Sequence, residues 1–140
     1  MAYWLFKSEP DTFGWSHLVA KGETGAEWDG VRNYQARNNM RAMAVGDRGF
    51  FYHSRQGLAV VGILEVIAPA HPDSTSDDPR WDAVDVRAVR VFTRPVTLEA
   101  IKASPLLADM ALVKSARLSV QPVTAEEWQI VCAMGLTDPA

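Results

Sequence analysis

The chain has one cysteine, Cys132, so no intrachain disulfide can form and a reducing compartment is expected. Histidine is nearly as scarce. His17, His53 and His71, taken with Cys132, show no metal-ligand spacing, so no protein-bound metal is expected. There is no G-x-S-x-G elbow, no P-loop and no dinucleotide-binding glycine pattern, which removes the commonest signs of nucleophilic hydrolysis and of nucleotide cofactors. No cofactor is expected. No apolar run reaches bilayer length, and the N-terminus has neither a basic n-region nor a long apolar h-region. A cytoplasmic location with no membrane partner is the expectation. Excess positive charge is also missing. The balance is 14 Lys+Arg against 17 Asp+Glu, a net charge of -3, which argues against generic polyanion binding through clustered cations.

Internal repeats, low-complexity tracts and linkers are absent too. A length of 140 residues with 48% hydrophobic content therefore predicts one domain over 1–140 with an ample core, and a monomer is favoured. Five tryptophans are many for this size, and their indole N–H groups need partners when buried. The charge is uneven. Arg32, Arg37, Arg41, Arg48 and Arg55 are accompanied by the single acid Asp47, whereas 65–85 holds six acids and the single base Arg80. This predicts one basic face on an acidic protein, unless the fold interleaves the two segments.

The apolar run Tyr3-Trp4-Leu5-Phe6 reads as a buried first strand. Asp11 is placed to cap a helix running to about Lys21. A second helix is expected over 33–44, with Ala36, Met40, Met43 and Ala44 on one apolar face. Gly46-Asp47 marks a turn. Strands are expected at 50–53 and 58–67, then a long loop over 68–80, which holds three prolines, three aspartates and three hydroxyl residues. Val84, Val86 and Ala88 alternate in one phase and Val89 and Val91 in the other. A bulge near Ala88 in a strand over 81–92 would account for the slip. A short helix over 97–103 precedes Pro105. A last strand over 116–121 is expected to end at Pro122, and Thr124 to Glu127 form a capping box opening a final helix that stops at Gly135. No regular βαβ alternation appears, so a mixed α+β fold follows: a small curved sheet or partial barrel with peripheral helices.

The richest stretch is Trp28-Asp29-Gly30-Val31-Arg32-Asn33-Tyr34-Gln35-Ala36-Arg37-Asn38. Aromatic faces stack on planar ligands, and amides and guanidinium forks read hydrogen-bonding edges, so this mixture suits a nucleobase. Each residue also has a plainer reading. Trp28 is a pocket rim or a core cover, Tyr34 a ligand contact or helix packing, Asn33 and Asn38 edge readers or helix caps. Arg32 and Arg37 read as ligand contacts or as solvated charges. Convergence of this run with Tyr52-His53-Ser54 would form a cavity with apolar walls and a few directed polar groups. His53 and Ser54 are adjacent and so point to opposite faces of a strand, which makes them a poor base and nucleophile pair.

Several blocks, in order, resemble the EVE domain family. They are Tyr3 to Pro10, Trp28 to Asn38, Gly46-Asp47 with Phe51 to Ser54, and Arg117 to Pro122 followed by Glu127-Trp128. The likeness runs from residue 3 to about 134. It implies a PUA-like fold, a curved mixed sheet or pseudo-barrel with peripheral helices, related to YTH and ASCH domains. It also implies a non-enzymatic reader of modified bases in DNA or RNA, with methylated or hydroxymethylated cytosine foremost. No effector domain accompanies it here, so a standalone reader is expected. On that basis Trp28 with Tyr34 or Tyr52 is expected to sandwich a flipped base. Ser8, Asn33, Asn38, His53 and Ser54 would read its edge. Lys7, Arg32, Arg37 and Arg117 would hold flanking phosphates or support the pocket. The alternatives are a nucleoside- or RNA-processing enzyme with His53 as general base, and a protein-interaction module built on the acidic segment from Asp73 to Asp85.

Overall fold

Two apolar phases alternate along the first strand, and each phase builds its own core. The computed structural model describes residues 1–140. In β1 (Tyr3–Ser8), Trp4 and Phe6 face one core while Leu5 faces the other. In β3 (Arg48–His53), Phe51 joins the first core while Phe50 and Tyr52 join the second. This is the period-2 geometry of a strand buried on both faces.

The sheet is curved and unclosed. Its remaining strands are β2 (Ala26–Glu27), β4 (Ala59–Pro72), β5 (Asp82–Thr97) and β6 (Val120–Val123), in the order β2-β5-β4-β3-β1-β6. β1 runs parallel to β3, and all other pairs are antiparallel. The first core is closed by α2 (Trp15–Ala20) and α3 (Tyr34–Arg41) through Leu18, Ala36 and Met40. The second is closed by α4 (Leu98–Ala103), α5 (Ala111–Lys114) and α6 (Ala125–Met134) through Ile101, Leu112, Trp128 and Val131.

The slip in β5 is a bulge at Val89. Ile63 pairs with Arg90 and Leu64 with Ala88, so the residue between has no partner. Before it Val84 and Val86 face the first core, and after it Phe92 and Val96 face the second. The predicted capping box holds: Glu127 N–H donates to Thr124 Oγ1, and Thr124 N–H donates to Glu127 Oε1.

Several expected boundaries are corrected. The helix expected from Asp11 to Lys21 is two, α1 (Pro10–Phe13) and α2, divided at Gly14, and the first begins after Glu9 with Pro10 rather than on an Asp11 cap. Asn33 caps α3, which stops at Arg41, and Ala44 is exposed rather than on the core face. The long loop is shorter than expected because β4 extends to Pro72. Beyond Glu65 this strand pairs with β5 alone, so Pro69 and Pro72 cost no ladder bonds on the open side. Pro122 lies inside β6 instead of ending it, since β6 is an edge strand.

Asp47 ties the start of the chain to this frame. Its buried carboxylate accepts from Ala2 N–H at 3.2 Å, Trp4 Nε1–H at 3.0 Å and Ala44 N–H at 3.0 Å. One of the five indoles thereby finds its partner, and Trp128 finds another in the Pro139 carbonyl at 2.9 Å.

Candidate functional site

A cleft of about 640 Å³ opens where the first core meets solvent. Trp28, Phe13 and Val31 give it an apolar base, and Lys7, Ser8 and Asp29 are among the polar groups around it. Trp28 is not a free-standing rim as one sequence reading had it. Only 7% exposed, its ring is held edge-on by Phe6, Phe51 and Phe13 at centroid distances of 5.1, 5.5 and 6.0 Å. It is a fixed floor, and the packing that fixes it is the first core.

The run that follows is fastened by one buried carboxylate. Asp73 accepts from Gly30 N–H and Arg32 Nη1–H, both at 2.9 Å, and from Thr75 N–H and Oγ1–H at 2.7 and 2.6 Å. Burial alone would raise its pKa. The bonds from Thr75, Arg32 and Gly30 outweigh this and hold it well below the usual carboxylate range. Gly30 has φ +78, a left-handed turn open to glycine, and that turn aims its N–H at Asp73. Arg32 is thus bound to the loop after β4.

The other expected site residues fall in different places. Ser8 and Lys7 line the Trp28 cleft, though Ser8 Oγ donates to the Phe13 carbonyl at 2.6 Å and Lys7 Nζ to the Ala116 carbonyl at 2.6 Å. Burial lowers the Lys7 pKa. Tyr52 and Ser54 line a separate cleft of about 220 Å³, reached from the other core face, so Tyr52 cannot sandwich a base with Trp28. Lys7 touches both clefts. Asn33 spends its Oδ1 on the Ala36 N–H cap at 2.9 Å. Tyr34 stacks on Trp81 at 5.1 Å, and its hydroxyl accepts from Arg80 at 3.0 Å. Arg37 lies over the Tyr34 ring and donates to Asn38 Oδ1 and the Arg80 carbonyl. Tyr34, Arg37 and Asn38 therefore form an outer face with the 73–81 loop, away from the cleft. Arg117 is exposed. His53 Nε2 accepts from Trp15 N–H at 3.1 Å, and burial lowers its pKa, so the ring is a neutral structural acceptor.

The predicted basic face does not form. The acidic segment folds back over three of these arginines, pairing Arg32 with Asp73 at 2.9 Å, Arg41 with Asp82 at 2.6 Å and Arg48 with Glu65 at 3.8 Å. Charge that looked segregated along the chain is interleaved in space.

His71 also departs from expectation. It shows no metal-ligand spacing in the sequence, yet its Nε2 lies 2.8 Å from Asp85 Oδ1 and its Nδ1 lies 3.9 Å from Glu27 Oε2. These three side chains, from three different strands, place potential metal-ligating atoms within 4.8 Å of one another. The Asp85 hydrogen bond first, with the Pro72 carbonyl and the two acidic charges, raises the His71 pKa against the opposing effect of burial. Its stabilising contribution is thus fully present below its ordinary value near 6.5 and lost as pH rises through the raised folded value. A proton-detected NMR titration should show a midpoint above that of free histidine. Asp85→Asn should bring it back, and an unshifted wild-type midpoint would contradict the pairing.

The acids Asp29 and Glu27, with Lys21, Ser74 and Ser119, also line the Trp28 cleft, and none was a candidate from the sequence. Only Asp29 carried a signal. It lies inside the aromatic run, where Asp29-Gly30 reads as a turn.

With this geometry in hand, comparison places the chain among known proteins. A family model described as EVE domain matches residues 2–134. Mouse thymocyte nuclear protein 1 is 38% identical, over 99% of this chain and 75% of its own length. A crystal structure of a protein from Agrobacterium tumefaciens is 62% identical with a TM-score of 0.96, covering 98% of this chain and 94% of its own. The crystal structure of human THYN1 protein in complex with 5-methylcytosine containing DNA is 34% identical with a TM-score of 0.89, covering 99% of this chain and all of its own. The expected cytoplasmic location does not survive this comparison, because the curated relatives are named as nuclear proteins. No helix is long and apolar enough to cross a membrane.

Proposed function

Because the chain belongs to the EVE domain family, we propose that it is a nucleic-acid-binding reader, not an enzyme, and that it captures a methylated or hydroxymethylated cytosine in the Trp28 cleft. The observation that carries this is the cleft itself. An immobilised indole forms its floor, polar side chains surround it, and its volume of about 640 Å³ admits a nucleobase. A base in a duplex must leave the stack to reach such a floor, at a cost of roughly a few kcal/mol. Stacking on an aromatic face returns about 1–3 kcal/mol per base. The net charge of -3 and the paired arginines leave little nonspecific electrostatic attraction, which favours a site-directed reader over a general duplex binder. DNA is the first polymer to test and RNA the second.

Fluorescence anisotropy with labelled oligonucleotides carrying cytosine, 5-methylcytosine or 5-hydroxymethylcytosine tests the reading. One extra methyl burial is worth about 0.8 kcal/mol, so a preference for the modified strand of roughly fourfold is expected from burial alone. Trp28→Phe, which keeps an aromatic in the core, should weaken all three strands. Equal binding of all strands by the wild type, unaffected by that substitution, would remove the cleft from the recognition step.

The enzymatic alternative loses its support in the structure, since the His53 Nε2 lone pair is used by Trp15 N–H. The interaction-module alternative loses its free acidic surface, since much of the 73–85 segment is bound to α3 and the run before it.

A further inference from the structure

Three acids approach the Trp28 end of the molecule, and two are engaged. Asp73 receives four hydrogen bonds, and Glu27 Oε1 accepts from the Ser74 amide and hydroxyl. Asp29 lines the cleft beside the Trp28 floor, with no hydrogen bond or ion pair within the protein. Nor is its position loose. On one side Trp28 N–H donates to the Val84 carbonyl at 2.7 Å, and on the other Gly30 N–H donates to Asp73 at 2.9 Å. The backbone is pinned on both sides of this exposed carboxylate, which limits the arc its side chain can sweep over the cleft.

We propose that Asp29 reads the exocyclic amine of the captured base, so that the cleft takes 4-aminopyrimidines, cytosine and its 5-substituted forms, in preference to the 4-oxo bases thymine and uracil. This rests on the base-reader function proposed above. A carboxylate in the mouth of a site that receives part of a polyanion is repulsive unless it meets a donor. The amine at position 4 of cytosine is such a donor, and carboxylates accept from it in protein–DNA contacts. The oxygen at position 4 of thymine presents a lone pair instead, and a carboxylate there meets it with like polarity. Burial first, then the charges of Asp73 and Glu27, raise the Asp29 pKa against the opposing Arg32, the direction of a carboxylate that the protein itself supplies with no donor. Thr12, Lys21 and Ser119 line the same cleft and bring donors for the ring nitrogen and the 2-oxo group. The methyl group cannot supply this discrimination, because thymine and 5-methylcytosine carry it alike.

The test uses single-stranded oligonucleotides, which avoid the cost of breaking a base pair, with one central 5-methylcytosine or one central thymine in the same sequence. Wild-type protein should bind the 5-methylcytosine strand about tenfold more tightly than the thymine strand. Asp29→Asn, whose amide both accepts and donates, should reduce that preference to within about twofold, chiefly by improving thymine binding. Asp29→Ala should reduce it by weakening 5-methylcytosine binding. Retention of the full preference in both variants overturns the assignment, as does equal binding of both strands by the wild type while it still binds them better than an abasic strand. Wild-type protein that binds all three strands alike overturns the base-reader function and this assignment with it.

Discussion

Trp28→Ala should cost about 3–5 kcal/mol of stability, the usual range for deleting a large buried aromatic. Domains of this kind have about 5–15 kcal/mol in total, so the loss is a large share. The ring is the hub at which Phe6, Phe13 and Phe51 meet edge to face, and its removal leaves all three facing a void. Urea denaturation should show the midpoint falling with little change in slope. Binding to methylated strands should vanish at the same time, because core and floor are one side chain. A stability loss under about 1 kcal/mol would mean the ring is not embedded as described. Trp28→Phe separates the two roles, since it restores part of the packing with less stacking area.

Asp73→Ala should be the next most damaging single change, at about 2–4 kcal/mol. The substitution strands Gly30 N–H, Thr75 N–H and one face of the Arg32 guanidinium. Arg32 is partly exposed, at 40% of its side chain, so water recovers some of its loss, and the two partly buried amides dominate. The pH dependence follows from the depressed pKa. The carboxylate contributes stability above the ordinary Asp range and loses it as pH falls below about 4 toward the folded value. Acid unfolding of the variant should therefore lack part of the wild-type slope in that window, and denaturation midpoints at pH 3 and pH 7, of both proteins, measure it. A variant with the wild-type acid slope would remove Asp73 as the group responsible. Asp73→Asn should fall between, because it keeps an acceptor and loses the charge.

Local chemistry was readable along the chain, and remote pairing was not. The Thr124 capping box, the Asn33 cap and the slip near Ala88 each involve neighbours a few residues apart, where sequence and geometry are tightly linked. The 68–72 segment misleads because Pro69 and Pro72 suit a loop, and only the end of β3 pairing at Glu65 frees that edge of β4 for them. The arginines and acids misled for a related reason. Arg32 reaches Asp73 and Arg41 reaches Asp82, each 41 residues ahead, and no local pattern announces such partners. Of the residues singled out in the sequence, Trp28, Ser8 and Lys7 line one cleft, whereas Tyr52 lies on the opposite face. Its neighbour Phe51 packs on Trp28, and strand alternation sends Tyr52 the other way. Asp29 gives no sign in the sequence beyond its place before Gly30, where the pair suits a turn.

The place of β1 in the sheet has a consequence for how the chain is made. β1, the first of the six strands to be made, lies between β3 and β6, and its hydrogen-bonded partners on the outer side, at 120–123, form the last. Until they arrive, Tyr3 to Phe6 presents an apolar, aromatic edge with unpaired amides, the kind of surface on which nascent chains associate. Pairing of β1 with β3 can begin once residues near 53 emerge, but the outer edge stays open until β6 is made. The floor of the cleft shares that timetable. Phe6 packs on Trp28, and Ser119, just before β6, lines the same cleft, so the cleft is completed only when the last strand closes the sheet.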